Sequence, residues 1–292
     1  MKTIATKLAV CLMLVVPVIG YTSAQAQQHE VSAQAGFGLS TLNYDVANGS
    51  SKGRVGFNVG VGYTYFLSEQ WGVSAGLDLS FYNGKATLGN ITSAYQTVDN
   101  EKDNVQYRSA FGTYEETQQA MFLNIPVMAQ FQHPVMETAK FYAQAGVKVG
   151  IPVSGKFKAA DATYTTTGYF PAYNIEVANS PSGGFGTYEG KSVKNDLDLK
   201  LSFALAAEAG LKWSLAENMS LYTGLYLDYG LTNVVKSKDN VALVEYDEQF
   251  KPAYGSNSAL VSQYLRDGKP ASMGDKALPF AVGLRLRFAF AL

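Results

Sequence analysis

From Phe280 to Leu292 every second residue is apolar, reading Phe, Val, Leu, Leu, Phe, Phe and Leu, while the positions between them read Ala, Gly, Arg285, Arg287, Ala and Ala. Side chains of a strand alternate between its two faces. One face wholly apolar and the other carrying two arginines fits a strand with lipid on the outside and a polar barrel interior on the inside. Seven earlier runs repeat the pattern. Odd positions are predominantly apolar over 31–41, 57–67, 71–81, 121–131, 141–151, 197–213 and 219–231, and the even positions hold mostly Gly, Ser, Asn, Gln and charged residues. Pro126 suggests a bulge in the fourth run, because a proline cannot donate to a ladder.

No window of 18 apolar residues follows residue 26, so no transmembrane helix is predicted, and a closed barrel is the one remaining structure that pairs every backbone group in lipid. The expected fold is all-β: an eight-stranded antiparallel up-and-down transmembrane β-barrel with long extracellular loops. A soluble β-sandwich would show the same alternation. Its polar face would carry Lys, Glu and Asp densely, whereas the even positions here are rich in Gly, Ala and Ser, which suit a crowded lumen.

The connections fix the orientation. Residues 68–70, 133–140 and 214–218 are short turns, and 42–54, 82–120, 152–196 and 232–279 are long, the asymmetry of short periplasmic turns and long extracellular loops. Both ends of the barrel then face the periplasm. Trp71, Phe131, Phe141, Trp213 and Phe290 fall at the short-turn ends of their strands, where an interfacial aromatic belt would lie.

Lys2 and Lys7, the apolar stretch from Leu8 to Ile19 and Ala24-Gln25-Ala26 form a secretory signal peptide over residues 1–26, leaving 27–292 as the barrel domain. The expected location is the bacterial outer membrane. Cys11, the single cysteine, leaves with the signal, so no thiol chemistry is expected of the mature chain. Of 23 basic residues, 21 remain against 24 acidic, which gives no electrostatic footprint for nucleic acid. The 28 glycines and 19 tyrosines suit a barrel with aromatic girdles.

Eight strands enclose a space just wide enough to be filled by side chains. The inward positions carry Lys148, Lys200, Lys212, Arg285 and Arg287 against Asp78, Asp198, Glu208 and Asp228. Unpaired charge would be costly there, so ion pairs are expected, with Glu208 near Lys148 or an inward arginine of the last strand. Neither His29, ahead of the first strand, nor His133, in a short turn, reaches the outer rim where a lipid-directed base would stand. Glu115-Glu116 and Asp247-Glu248 read as solvated loop acids. No catalytic, cofactor-binding or metal-ligating residue is expected, and no cofactor.

The long loops carry many tyrosines, among them Tyr95, Tyr107, Tyr114, Tyr164, Tyr246 and Tyr254. They either serve recognition or decorate strands that continue beyond the bilayer. Residues 163–177 could add strands above the membrane or a hairpin making ten.

The stretch Phe122-Leu123-Asn124-Ile125-Pro126-Val127-Met128-Ala129-Gln130-Phe131, followed by Phe141-Tyr142-Ala143-Gln144-Ala145-Gly146-Val147-Lys148-Val149-Gly150, resembles paired strands of the PorT-like outer-membrane β-barrels of Bacteroidota, with Asn124 where that family usually has Glu. Gly283-Leu284-Arg285-Leu286-Arg287-Phe288 is similar to that family's last strand. The resemblance, like that to OmpA-like barrels, implies structural, adhesive or poorly defined roles and no cofactor. No peptidoglycan-binding domain follows Leu292, so an envelope tether is not expected. The leading expectation is a non-enzymatic barrel acting through its loops in surface interaction or envelope integrity. A small passive or ligand-specific pore is the second, and a lipid-modifying enzyme the third. Expected partners are outer-membrane lipid, the barrel-insertion machinery, which would read the C-terminal apolar phase, and an unidentified extracellular partner.

Overall fold

In hydrocarbon no water satisfies a free strand edge, so eight amphipathic strands are stable only if the first pairs with the last. They do so in the computed structural model, which describes residues 29–99, 101–247, 249 and 251–292. The predicted signal segment and Glu248 lie outside the described residues. The barrel strands are β1 (His29–Asn43), β2 (Val55–Phe66), β3 (Trp71–Val98), β4 (Asn104–Met136), β5 (Ala139–Ala159), β6 (Ser202–Ala216), β7 (Met219–Gly230) and β8 (Leu278–Ala291). Each pairs antiparallel with its neighbours in sequence, and β1 closes the ring on β8 from Glu30↔Ala291 to Asn43↔Leu278. The fold is therefore an up-and-down barrel of eight strands.

Alternation survives along the lower part of every strand. Phe37, Leu225 and Leu284 are each more than 60 % exposed on the outside, while Asp78, Gln130 and Tyr222 between the outward positions are sealed from solvent. Trp71 pairs with Phe131, their rings 5.1 Å apart, at the short-turn end. Phe141, Trp213 and Phe290 lie at the same end, and Trp213 Nε1 donates to Thr223 at 3.0 Å. A second aromatic ring runs through Phe37, Phe57 and Phe81 in direct cross-strand register, with Phe57 stacked on Phe81 at 4.3 Å. Ten residues separate Trp71 from Phe81 on β3, which at ~3.3 Å each and a tilt of ~40° spans ~25 Å, the height of an outer-membrane apolar band.

Beyond that ring the structure departs from the sequence reading. Residues 82–120 are not a loop: β3 and β4 run on as a hairpin that turns at residues 99–103. Strand Ala162–Phe170 pairs with β4 at residues 106–111 and carries Ile175–Val177 and Gly186–Gly190 on its other side, so 163–177 adds strands above the bilayer and the ring stays at eight. The sixth strand starts at Ser202, not 197. Two short turns are tighter than expected, 137–138 in place of 133–140 and 217–218 in place of 214–218, while the first is one residue longer at 67–70; His133 sits at the end of β4 and His29 opens β1. Thr41, read as outward, is buried.

Pro126 makes no bulge. Its register with Lys148 is continuous, and the lost donor shows instead as a lapse in the β3–β4 ladder between Ala75↔Val127 and Asp78↔Asn124. The bulge lies farther up, where Phe122↔Pro152 is followed by Met121↔Ser154 and Val153 is left over. Pro152 has no N–H to give, and the extra residue flips the phase of everything above it on β5.

The closing seam passes through Gly38 and Gly283, paired directly across β1 and β8. A Cβ on Gly283 would lie 2.1 Å from the Phe37 carbonyl oxygen, which is backbone and cannot swing aside. Gly283→Val is therefore expected to cost at least about 2 kcal/mol, read from urea unfolding of the detergent-folded protein by tryptophan fluorescence; an unchanged midpoint would show that the seam tolerates a side chain.

Candidate functional site

Among the described residues the membrane-level interior holds four cations, Lys148, Lys212, Arg285 and Arg287, against four anions, Glu30, Asp78, Glu208 and Asp228, all buried. They are delivered by β1, β3, β5, β6, β7 and β8, so the network ties most of the ring together. Lys148 Nζ sits between Asp228 Oδ2 at 2.8 Å and Asp78 Oδ2 at 3.3 Å. Arg285 reaches Glu208 at 3.0 Å and donates to Asn58 at 3.1 Å. Of the two partners expected for Glu208, the inward arginine is the one found, Arg285 with Arg287 4.0 Å away, whereas Lys148 pairs with the two aspartates instead. Lys212 pairs with Glu30.

Tyrosines complete the packing. The Tyr142 hydroxyl donates to Glu208 at 2.7 Å and that of Tyr222 to Glu30 at 2.6 Å. The Arg287 guanidinium lies 3.9 Å from the Tyr222 ring centroid and that of Arg285 4.3 Å from Tyr226, so the rings face the cations as well as filling space. A void of about 20 Å³ among Gln34, Asp78, Met128, Gln144, Arg285 and Arg287 has room for about one water molecule.

Not every expected lumen residue is there. Lys200 lies ahead of β6, exposed, with its backbone N–H bonded to Val234, and Asp198 meets Lys238 at 3.4 Å on the surface. The apolar odd positions that suggested strand at 197–201 have another cause: Leu197 is buried in the extracellular core and Leu199 bridges to Val235. Glu30, one residue ahead of the alternating run 31–41, joins the network because β1 already begins at His29 and its even position carries the inward parity.

Above the second aromatic ring the extended strands enclose a further core. Tyr82, Leu88, Ile91, Phe111, Tyr114 and Phe157 from the barrel wall pack against Leu243, Val244, Leu260, Tyr264 and Met273 from the segment between β7 and β8. Polar contacts pin that segment: Ser93 Oγ donates to the Gln263 carbonyl at 2.9 Å and accepts from Leu243 N–H at 2.9 Å. Tyr44, just after β1, donates to Gln118 of β4 at 2.6 Å. The loop tyrosines are thus largely core. Tyr107, Tyr114, Tyr164 and Tyr264 are buried, while Tyr173 is 60 % exposed.

Glu115 and Glu116 are strand residues, not solvated loop acids. Glu115 points outward to Lys85 at 2.9 Å, whereas Glu116 is buried. Its carboxylate accepts from Tyr114 at 3.0 Å, Gln118 at 2.9 Å, Ala259 N–H at 2.9 Å and the Ser258 hydroxyl. Among the described residues no Lys or Arg pairs with it, and burial pushes its carboxyl pKa up despite those donors. Among the described residues no three His, Cys, Asp or Glu side chains gather closely enough to hold a metal ion.

A closed ring of eight strands, an outer face of aliphatic side chains between two aromatic girdles and a charge-paired interior define an outer-membrane β-barrel protein. The chain belongs to the outer membrane protein β-barrel domain family, whose model matches residues 24–236; β8 lies beyond the match. Its location is the outer membrane. Among solved structures it is similar to Neisserial surface protein A, at 9 % identity over 90 % of this chain and 97 % of that one, TM-score 0.38. OprG of Pseudomonas aeruginosa matches at 11 % identity over 91 % and 97 %, TM-score 0.36. The attachment invasion locus protein Ail of Yersinia pestis, solved with the heparin analogue sucrose octasulfate, matches at 13 % over 90 % and 98 %, TM-score 0.30. No curated protein shows a significant sequence match.

Two outcomes follow. Glu208→Ala leaves Arg285 and Arg287 without their carboxylate and should cost about 3–5 kcal/mol in urea unfolding, whereas a loss under about 1 kcal/mol would mean that water, not Glu208, satisfies them. At Glu116 the raised folded-state pKa means that the docked segment prefers the protonated acid: its contribution is full below the ordinary carboxyl range and is lost as pH rises through the raised value. Amide-exchange protection of Ala259 and Ser262 in wild type should therefore match that of Glu116→Gln at pH 4 and fall below it at pH 8; a Gln variant less protected at every pH would contradict this.

Proposed function

We propose that this protein is a non-enzymatic, non-conducting barrel that holds a folded extracellular head for surface interaction or envelope integrity. The observation that carries the reading is the segment 232–277, whose apolar residues pack inside the extended strands above an interior already filled by paired charges. An ion would have to displace both layers. Export by residues 1–26, insertion through recognition of β8 and kinship with PorT-like barrels of Bacteroidota belong to the same proposal, the last supported by the Phe122–Phe131 and Phe141–Gly150 stretches.

The head offers a place for a protein partner. Ile175–Val177 ends the sheet with no further strand beside it among the described residues, and Tyr173 and Ile175 are exposed there. A free edge next to apolar side chains suits strand addition by an extended segment.

Planar-bilayer recording separates this reading from a passive or ligand-specific pore. The purified, folded protein is expected to give no resolved single-channel steps, whereas discrete, reproducible steps would overturn the filled-interior account.

A further inference from the structure

The bulge at Val153 has a chemical effect on the outside of the barrel. Below it the odd residues of β5 face lipid, and Ile151 and Val153 are exposed; above it the phase is inverted, so Phe157 and Ala159 point into the extracellular core and Lys156 and Lys158 point out. Without the extra residue both lysines would face the buried interior. Strand Val193–Asp196 then pairs with this edge and sets Lys194 directly opposite Lys158. Like charges directly across an antiparallel pair are destabilising, and here nothing offsets them. Among the described residues none of the three ammonium groups lies within ion-pair distance of a carboxylate. Asp196 is the register partner of Lys156 but makes no ion pair with it, and Lys194 finds only the Gln119 amide oxygen at 3.5 Å. The contrast is Lys85 on β3, which is neutralised by Glu115 of β4.

These side chains border a groove of about 170 Å³ that Thr117 and Gln119 also line, several times the ~30 Å³ share of a water molecule. Its height is set by the strand. Lys156 and Lys158 stand three and five residues beyond Val153, which at ~3.3 Å per residue and a tilt of ~40° places them ~8–13 Å above the edge of the apolar band. With a bilayer ~40–45 Å thick around a ~30 Å core, the headgroup layer is ~5–8 Å deep on each side, so the Lys156 backbone lies at its outer boundary and that of Lys158 just above it, and both long side chains can reach down into it.

We propose that Lys156, Lys158 and Lys194 form a binding site for the phosphate of an outer-leaflet glycolipid, whose acyl chains lie against Ile151 and Val153 below. The phosphate supplies the missing counter-charge between Lys158 and Lys194, with Thr117 and Gln119 as neutral hydrogen-bonding neighbours. The site rests on the outer-membrane placement alone, so its failure would leave the proposed role of the head untouched.

The test is native mass spectrometry of the full-length folded protein released from phosphatidylcholine nanodiscs doped with lipid A. The wild type is expected to retain lipid A, and K156Q/K158Q/K194Q to retain at least about 10-fold less, given roughly 1 kcal/mol per lysine at an anionic surface. The control K236Q/K251Q/K276Q removes the same charge from exposed loop positions and is expected to behave as wild type. Equal retention by the site variant, or equal loss by the control, overturns the proposal. Displacement of lipid A by millimolar inorganic phosphate would also overturn it, assigning the site to a free anion. Should the triple variant fail to fold, K158Q alone gives two readouts of opposite sign: greater stability in phosphate-free detergent, because the repulsion with Lys194 is gone, and weaker lipid A retention. Loss of stability together with unchanged retention would contradict the site.

Discussion

Everything in this protein follows from the demand that each backbone N–H and C=O in the hydrocarbon layer be bonded to another strand. An open sheet would leave two rows of such groups facing lipid, each costing several kcal/mol. The β1–β8 ladder removes those edges, and it fixes the rest: with the ring closed at eight strands, one face of every strand must be apolar and the other must fit a narrow interior. The glycines at the seam, Gly38 and Gly283, allow the two backbones to meet where side chains would collide.

The narrow interior explains the chemistry inside it. Eight charges without bulk water are tolerable chiefly as pairs, and Asn58, Gln130, Tyr142 and Tyr222 meet part of what the pairing leaves over, while Nε of Arg285 and of Arg287 stay without a hydrogen-bond partner and the two guanidinium groups lie against the Tyr226 and Tyr222 rings. The extended upper strands solve a different problem. Outside the membrane their inner faces need an apolar partner rather than charge pairs, and the segment between β7 and β8 supplies it. The transition from charged lumen to apolar head falls near Phe122 and Tyr82, whose rings meet edge to face 5.9 Å apart. The bulge at Val153 belongs to that transition, since it turns Phe157 inward and the basic residues outward.

Much of this is written in the order of residues. Period-two alternation needs only local reading, so the eight strands, their short turns, the inward placement of Asp78, Lys148, Glu208, Lys212, Asp228, Arg285 and Arg287, and the shared height of Trp71, Phe131, Phe141, Trp213 and Phe290 were legible. What was not legible depends on contacts between distant segments. Glu116 is polar, next to another acid, and becomes a buried anchor only because Ser258 and Ala259 come to it from more than 140 positions away. Lys200 shares the parity of the lumen residues but precedes the strand. The lysines at 156 and 158 keep the parity of inward residues and face outward, since one extra residue at Val153 reverses the count.

The central claim is that hydrocarbon, not protein, covers the apolar face. Methyl-labelled protein in lipid bilayers tests this most directly through magnetisation transfer from lipid acyl protons. Contacts are expected at Val282, Leu284 and Leu286 of β8 and at Leu225 and Leu227 of β7, which are exposed on the outside, and none at Ala281 and Ala289, which are buried within the ring. Acyl-chain contacts absent from the leucines, or equally strong at the two alanines, would contradict the account.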